Sequence, residues 1–136
     1  MRAVSYTKLG TQRDSTAFQL KIAEAAMTLD DGVLHAHRAA DDIDAWAARG
    51  EFMDYLTRAR VRADTGWTSK RVREAISLIL DAHGASGFAD ASPMQRIWRD
   101  ANTAGRHAVV NTLVSEEVYG KALLGFGPED QITDLI

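Results

Sequence analysis

The chain has 136 residues, 46 % of them hydrophobic, which suits one compact domain with a single core and leaves little room for a second. Sixteen basic and nineteen acidic side chains give a formal charge of -3 with the signs interspersed, so the basic patch of a nucleic-acid binder is missing and neither DNA nor RNA is expected as a partner. Cysteine is absent, which excludes disulfides, thiolate metal sites and cysteine nucleophiles, and fits an intracellular protein.

The opening "MRAVSYTKLG" lacks the apolar core of a signal peptide, and no stretch approaches the roughly 18 apolar residues of a membrane span. A soluble, cytoplasmic protein with no membrane partner is expected. Next, Phe18, Ile22, Ala25, Leu29, Ala36, Ile43 and Ala47 recur at spacings of three, four or their sums, the mark of an amphipathic helix. Asp14 or Ser15 is its N-cap and Gly50 its stop. From Phe52 to about His83 the pattern repeats through Leu56, Ala59, Ala63, Val72, Ile76 and Ile79 or Leu80, without a proline. Each helix would be about 45 Å long.

The linker "HGASGFADAS" ends in a strong helix start. Ser92 stands at the N-cap, Pro93 at the first helical position and Gln95 three residues after the cap, the pattern of a capping box. The helical pattern then runs to Leu124, where "GFGP" stops it, with Gly105 marking either a bend or a close helix contact. Strand signals are nearly absent. The expected fold is all-α, a single domain over 1–136 built as an up-and-down bundle of three to four long helices, the count depending on Gly105. The tail "PEDQITDLI" could fray or dock on a neighbouring subunit.

A helical bundle invites a test for a di-metal site, which needs Glu three residues before His on one face. The residues three before His35, His37, His83 and His107 are Gly32, Leu34, Leu80 and Ala104, none of them a carboxylate. His35 and His37 are separated by about 200° of helical turn, so their rings point apart and no metal is expected. Asp30, Asp31, Asp41, Asp42 and Asp44, with Lys21, His35, His37 and Arg38, read as a solvated face with weak local pairs. Arg58, Arg60, Arg62, Lys70, Arg71 and Arg73 of the second helix read as surface or subunit contacts, with arginines facing a ligand phosphate as the alternative. Arg96, Asp100, Thr103 and His107 are harder to place, because steps of four, three and four set them along one stripe beside Ile97, Ala101, Ala104 and Ala108. One reading is an Arg96–Asp100 helix pair with a hydrogen-bonded interface histidine. The other lines a substrate pocket with Arg96, Asp100 and Thr103 and gives His107 acid or base duty.

The segment "DAHGASGFADASPMQRIWRDANTAGRHAVV" resembles the C-terminal helical domain of the acyl-CoA dehydrogenase superfamily, and within it the flavin-dependent two-component aromatic monooxygenases. The matching features are the "QRIWRD" helix, the histidine eight residues after Arg99, here His107, and a "YG-x-x-L-G" type of ending at Tyr119, Gly120, Leu123 or Leu124 and Gly125. Dehydrogenases of the superfamily commonly carry a catalytic glutamate in this region; the corresponding place here holds Arg106, His107 and Ala108. The resemblance therefore implies the hydroxylase branch. It implies a separate flavin reductase supplying reduced FMN or FAD, an aromatic small-molecule substrate, His107 as the catalytic group, and flavin contacts from Asp81, Gly84, Gly87 and Phe88. It also implies a homodimer or homotetramer, and N-terminal helical and middle β domains that this sequence does not contain. The alternatives are a stand-alone helical oligomerisation or interaction module without catalysis, and an acyl-CoA dehydrogenase-like fragment.

Overall fold

The computed structural model describes residues 7–136. The first six, part of the opening that lacks a signal-peptide core, lie outside the described residues. The chain forms α1 (Thr16–Arg49), α2 (Tyr55–His83), α3 (Pro93–Ala104) and α4 (Thr112–Leu123), with single 3-10 turns between or beside them and no strand among the described residues. No helix of the described residues is long and apolar enough to cross a membrane.

Caps set the ends of these helices. Ser15 accepts the amide of Phe18 at 3.3 Å to open α1, and Gly50, left-handed at φ +66°, closes it. Helix α2 starts later than the Phe52 expected from sequence. Asp54 caps it by accepting the Thr57 amide at 2.9 Å, and Phe52 lies outside, fully exposed. Ser92 opens α3, but its hydroxyl takes the amide of Met94, one residue short of the third-position amide that a capping box uses.

Helix α2 is the centre of the molecule, with α1 antiparallel along one side and α3 and α4 against the other. Small residues make the α1 contact. Ala25, Gly32 and Ala39, seven apart, are buried, and a Cβ on Gly32 would stand 3.0 Å from that of Arg71. The apolar stripe expected to form the core of α1 lies beside this line instead: of its members only Ala25 is buried, while Ile22, Leu29, Ala36, Ile43 and Ala47 are exposed. Periodicity located the apolar residues but not the face that α2 covers.

The α2–α4 crossing is closer still. A Cβ on Gly66 would stand 2.7 Å from the Cβ of Ser115 and 3.3 Å from the Cα of Thr112. Gly66→Ala is therefore expected to destabilise the chain by about 1–3 kcal/mol, since backbone must move to admit the methyl group. Gly120, inside α4, has no atom within 4 Å of its Cβ position, so Gly120→Ala is expected to stabilise by up to about 1 kcal/mol through helix propensity alone. Urea unfolding of the two variants should give midpoint shifts of opposite sign.

Gly105 does both things that its position suggested. The α3 helix ends at Ala104, and a Cβ on Gly105 would meet Arg73 Nε at 2.6 Å and Ser69 Oγ at 2.8 Å, so the chain turns away where Gly105 packs directly on side chains of α2. The tail docks on its own chain. Gln131 Nε2 donates to the Val118 carbonyl at 3.0 Å, and Lys121 Nζ to that of Asp130 at 3.0 Å.

Candidate functional site

The residues singled out from sequence fall on the α2–α3 connection, on α3 and on the turn after it. Gly84 takes φ +77° and donates its amide to the Leu80 carbonyl at 2.9 Å, ending α2. The chain then folds back as a 3-10 turn over Ala85–Phe88, so tightly that a Cβ on Gly87 would lie 2.8 Å from Leu80 Cδ2. Phe88 is half-exposed, its edge set against Trp98 with ring centroids 6.0 Å apart. Trp98 in turn donates Nε1–H to Ser77 Oγ at 3.2 Å, which pins α3 to α2. Asp81, on the exposed side of the last turns of α2, lines a cleft of about 480 Å³ with Arg73, Ser77 and Asn102 among its walls.

Arg96, Asp100 and Thr103 lie on the exposed side of α3. Asp100 sits 3.7 Å from its neighbour Arg99, not against Arg96 as expected, and Thr103 Oγ1 donates back to the Arg99 carbonyl at 2.9 Å. Arg96 lines a separate cleft of about 280 Å³ beside Ser92 and Pro93. His107 departs from the stripe altogether. Helix α3 has ended, so His107 is no helical neighbour of Thr103; it caps the Ala108–Val110 turn, with Nδ1 accepting the amide of Val109 at 3.3 Å. With Nδ1 occupied as an acceptor, the neutral ring carries its proton on Nε2, on an exposed side chain. Asn111, accepting the amides of Leu113 at 3.1 Å and Val114 at 3.4 Å, then opens α4. The histidine is thus held on a short, doubly capped turn between two helices.

Sequence reasoning missed the most interconnected polar cluster. Asp64 of α2 is buried at 2 % exposure, accepts from Arg38 Nε at 3.0 Å and from Arg38 Nη2, and lies 2.7 Å from His35 Nδ1. Further along both helices, Arg71 Nε donates to Asp31 at 2.6 Å and Trp67 Nε1 to the same carboxylate at 3.2 Å. Lys70 Nζ and the Arg71 guanidinium stand over the Trp67 ring at 4.5 and 4.4 Å. Arg60 pairs with Asp42 at 2.6 Å. Of the charges read as a solvated face and as surface arginines, Asp31, His35, Arg38, Asp42, Arg60 and Arg71 therefore join α1 to α2. Among the described residues no group of three or more His, Asp or Glu could hold a metal.

Desolvation opposes ionisation of Asp31, but the hydrogen bonds from Arg71 and Trp67 and the charges of Arg71 and His35 outweigh it and hold the carboxyl below its ordinary value. A depressed carboxylate contributes stability that is present above its unfolded-state pKa and is lost as pH falls through the folded one. The melting temperature of Asp31→Asn is accordingly expected to lie below that of the parent at neutral pH, with the gap narrowing below about pH 4.

Comparison with known proteins places this geometry. Residues 2–112 match the family model described as acyl-CoA dehydrogenase, C-terminal domain. The chain superimposes with a TM-score of 0.89 on XiaF from a Streptomyces species, solved with FADH2 and glycerol, at 37 % identity over 93 % of this chain and 32 % of that one. It is 29 % identical over 118 residues to HsaA of Mycobacterium tuberculosis H37Rv, the oxygenase subunit of a flavin-dependent monooxygenase, covering 87 % of this chain and 30 % of that protein. Over 73 residues, 54 % of this chain and 17 % of the other, it is 34 % identical to the oxygenase component of p-hydroxyphenylacetate 3-hydroxylase from Acinetobacter baumannii. The chain spans about a third or less of the length of these relatives.

Proposed function

The chain belongs to the acyl-CoA dehydrogenase C-terminal domain family, and on that premise we propose that residues 1–136 are the C-terminal bundle of a reduced-flavin-dependent monooxygenase that hydroxylates a phenolic or related aromatic substrate. In this reading the enzyme works in the cytoplasm with a separate flavin reductase and assembles as a homodimer or homotetramer. The observation that carries it is His107: an exposed imidazole on a capped turn, where Arg106 and Ala108 beside it supply no carboxylate base for acyl thioester chemistry. The names of the relatives, all oxygenase components where a function is printed, support the same branch.

The α2–α3 turn fits a flavin contact in part. No atom lies within 4 Å of a Cβ placed on Gly84, so the backbone there is open to a ligand, and half-exposed Phe88 offers an apolar ring held by Trp98. Gly87 does not need a flavin to explain it, because Leu80 fills the place of its side chain. Reduced FMN or FAD, when bound, supplies the electrons that activate dioxygen. The protein's part falls to His107. As found, it offers Nε2–H to a phenolic oxygen; a turn of the ring that releases the Val109 amide frees Nδ1 to take the phenol proton, which raises electron density on the ring carbon to be hydroxylated.

The test is to express the protein from its native locus, weigh it intact, and assay it with reduced FMN or FAD, dioxygen and a panel of phenols. A mass well above 14.9 kDa and a product one oxygen heavier are expected, while the 136-residue chain by itself is expected to be inactive. A native mass of 14.9 kDa, or turnover of acyl thioesters in place of phenols, would overturn the proposal.

A further inference from the structure

We propose that Arg73 is a positioning residue for His107: one side chain of α2 holds both ends of the turn that carries the imidazole. The inference rests on the catalytic duty proposed for His107 above and concerns what fixes the ring in place. Residues 105–111 join α3 to α4, and of these only Gly105 is buried. His107 is exposed, and its side-chain hydrogen bond among the described residues stays inside the turn, at the Val109 amide. No hydrogen bond of the imidazole reaches α2. The place of the ring relative to the rest of the molecule is therefore set by where the turn begins and where it ends.

Both ends meet Arg73. At the first, Gly105 lies on the stem of the arginine: a Cβ there would stand 2.6 Å from Nε and 2.7 Å from Cδ, so the two pack only because residue 105 has no side chain. At the second, Arg73 Nη2 donates to Thr112 Oγ1 at 3.4 Å, and that hydroxyl donates in turn to the Gly66 carbonyl at 3.1 Å. The guanidinium is itself tied to its own helix, because Nε donates to the Ser69 carbonyl at 3.2 Å. Helix α3 is fastened at the same place: Ser77 Oγ donates to the Arg73 carbonyl at 2.9 Å and accepts Trp98 Nε1–H at 3.2 Å. Charge points the same way. Arg60 and Arg71 are paired with carboxylates, whereas half-buried Arg73 has no ion pair among the described residues and directs its N–H groups to a hydroxyl and a backbone carbonyl. Its planar fork reaches both at once, which the single nitrogen of a lysine does not reproduce.

The test is a double-variant cycle in the complete enzyme. Arg73→Met, which keeps a stem under Gly105 and loses the fork, and Thr112→Val, which keeps the shape and loses the hydroxyl, are each made in the parent and in His107→Ala. Hydroxylation of the phenol that the parent turns over fastest is followed as kcat and KM. Arg73→Met is expected to lower kcat about tenfold and to change KM by less than about twofold, the pattern of a misplaced reacting group. Thr112→Val should act in the same direction and by less, and Thr112→Ser, which keeps the hydroxyl, should recover most of that loss. In His107→Ala neither change should lower kcat further, because no imidazole remains to be misplaced. Equal losses with and without His107 would mean that Arg73 acts on the reaction by some other route, and would overturn the inference while leaving His107 in its role. Parent-like kcat in both variants would overturn it too. If Arg73→Met does not fold, Thr112→Val in the two backgrounds decides the question by the same comparison. Parent-like turnover in His107→Ala itself would remove the premise, and the inference would fall with it.

Discussion

Replacing His107 by alanine in the complete enzyme is expected to lower hydroxylation about a hundred-fold, the usual loss when a positioned acid or base is removed, with melting temperature and assembly almost unchanged. The second half of that expectation comes from the structure. The side chain is exposed and its one bond among the described residues is to the amide of Val109, which is itself half-exposed and can turn to water instead. Truncation therefore removes the imidazole without opening a cavity or stranding a buried group, and the lost cap of a single exposed turn costs about 0.5–1 kcal/mol, small beside the loss of activity. His107→Asn separates the two tasks assigned to the ring. Its side-chain oxygen can still cap the turn and its amide can still donate to a phenolic oxygen, but it cannot take a proton. Activity of the asparagine variant close to that of alanine would assign the loss to proton transfer; activity close to the parent would assign it to hydrogen bonding. Undiminished turnover in His107→Ala would remove His107 from the mechanism.

What the sequence reveals of this molecule divides along a physical line. Signals confined to neighbouring residues are legible: Ser15 and Gly50 bound α1, and Ser92 with Pro93 opens α3, because a cap is an arrangement of a few adjacent backbone and side-chain groups. The break after Ala104 is local too, although Gly105 alone allows either a bend or a contact. His107 and Asn111 both have side chains that bind nearby amides, and each caps the helical turn immediately after it. Signals that depend on a partner helix are not legible. The α1 stripe of Ile22, Leu29 and Ile43 has the period of a core face, yet α2 covers the adjacent line of alanine and glycine. An aspartate between Ala63 and Thr65 looks like a solvated helical residue, because the groups that surround Asp64 lie 26 and 29 positions earlier. Within the candidate site, the four-three-four spacing from Arg96 to His107 assumes one continuous helix, and α3 ends before it reaches the histidine.

The polar contact around Asp64 leads to an asymmetric expectation: Arg38→Ala should destabilise the chain more than Asp64→Ala, although the arginine side chain is 48 % exposed and the aspartate 2 %. Exposure alone predicts the reverse. Removing the carboxylate leaves His35 and Arg38, both of which reach solvent and can hydrate the polar groups they lose, so the cost reduces to lost hydrogen bonds and a small void, about 2 kcal/mol. Removing Arg38 leaves a buried carboxylate at the α1–α2 seam with, among the described residues, only the His35 ring beside it, 2.7 Å from one oxygen. Stranding a buried charge costs about 3–5 kcal/mol; the partial help from His35 places Arg38→Ala at about 3 kcal/mol. Because one network is broken in both variants, the double variant should cost less than the sum of the two singles. Urea unfolding of the parent, both singles and the double variant gives all the terms. If Asp64→Ala were the more damaging single change and the effects added, the cluster would be two independent contacts, and the buried aspartate would matter for the space it fills and not for its charge.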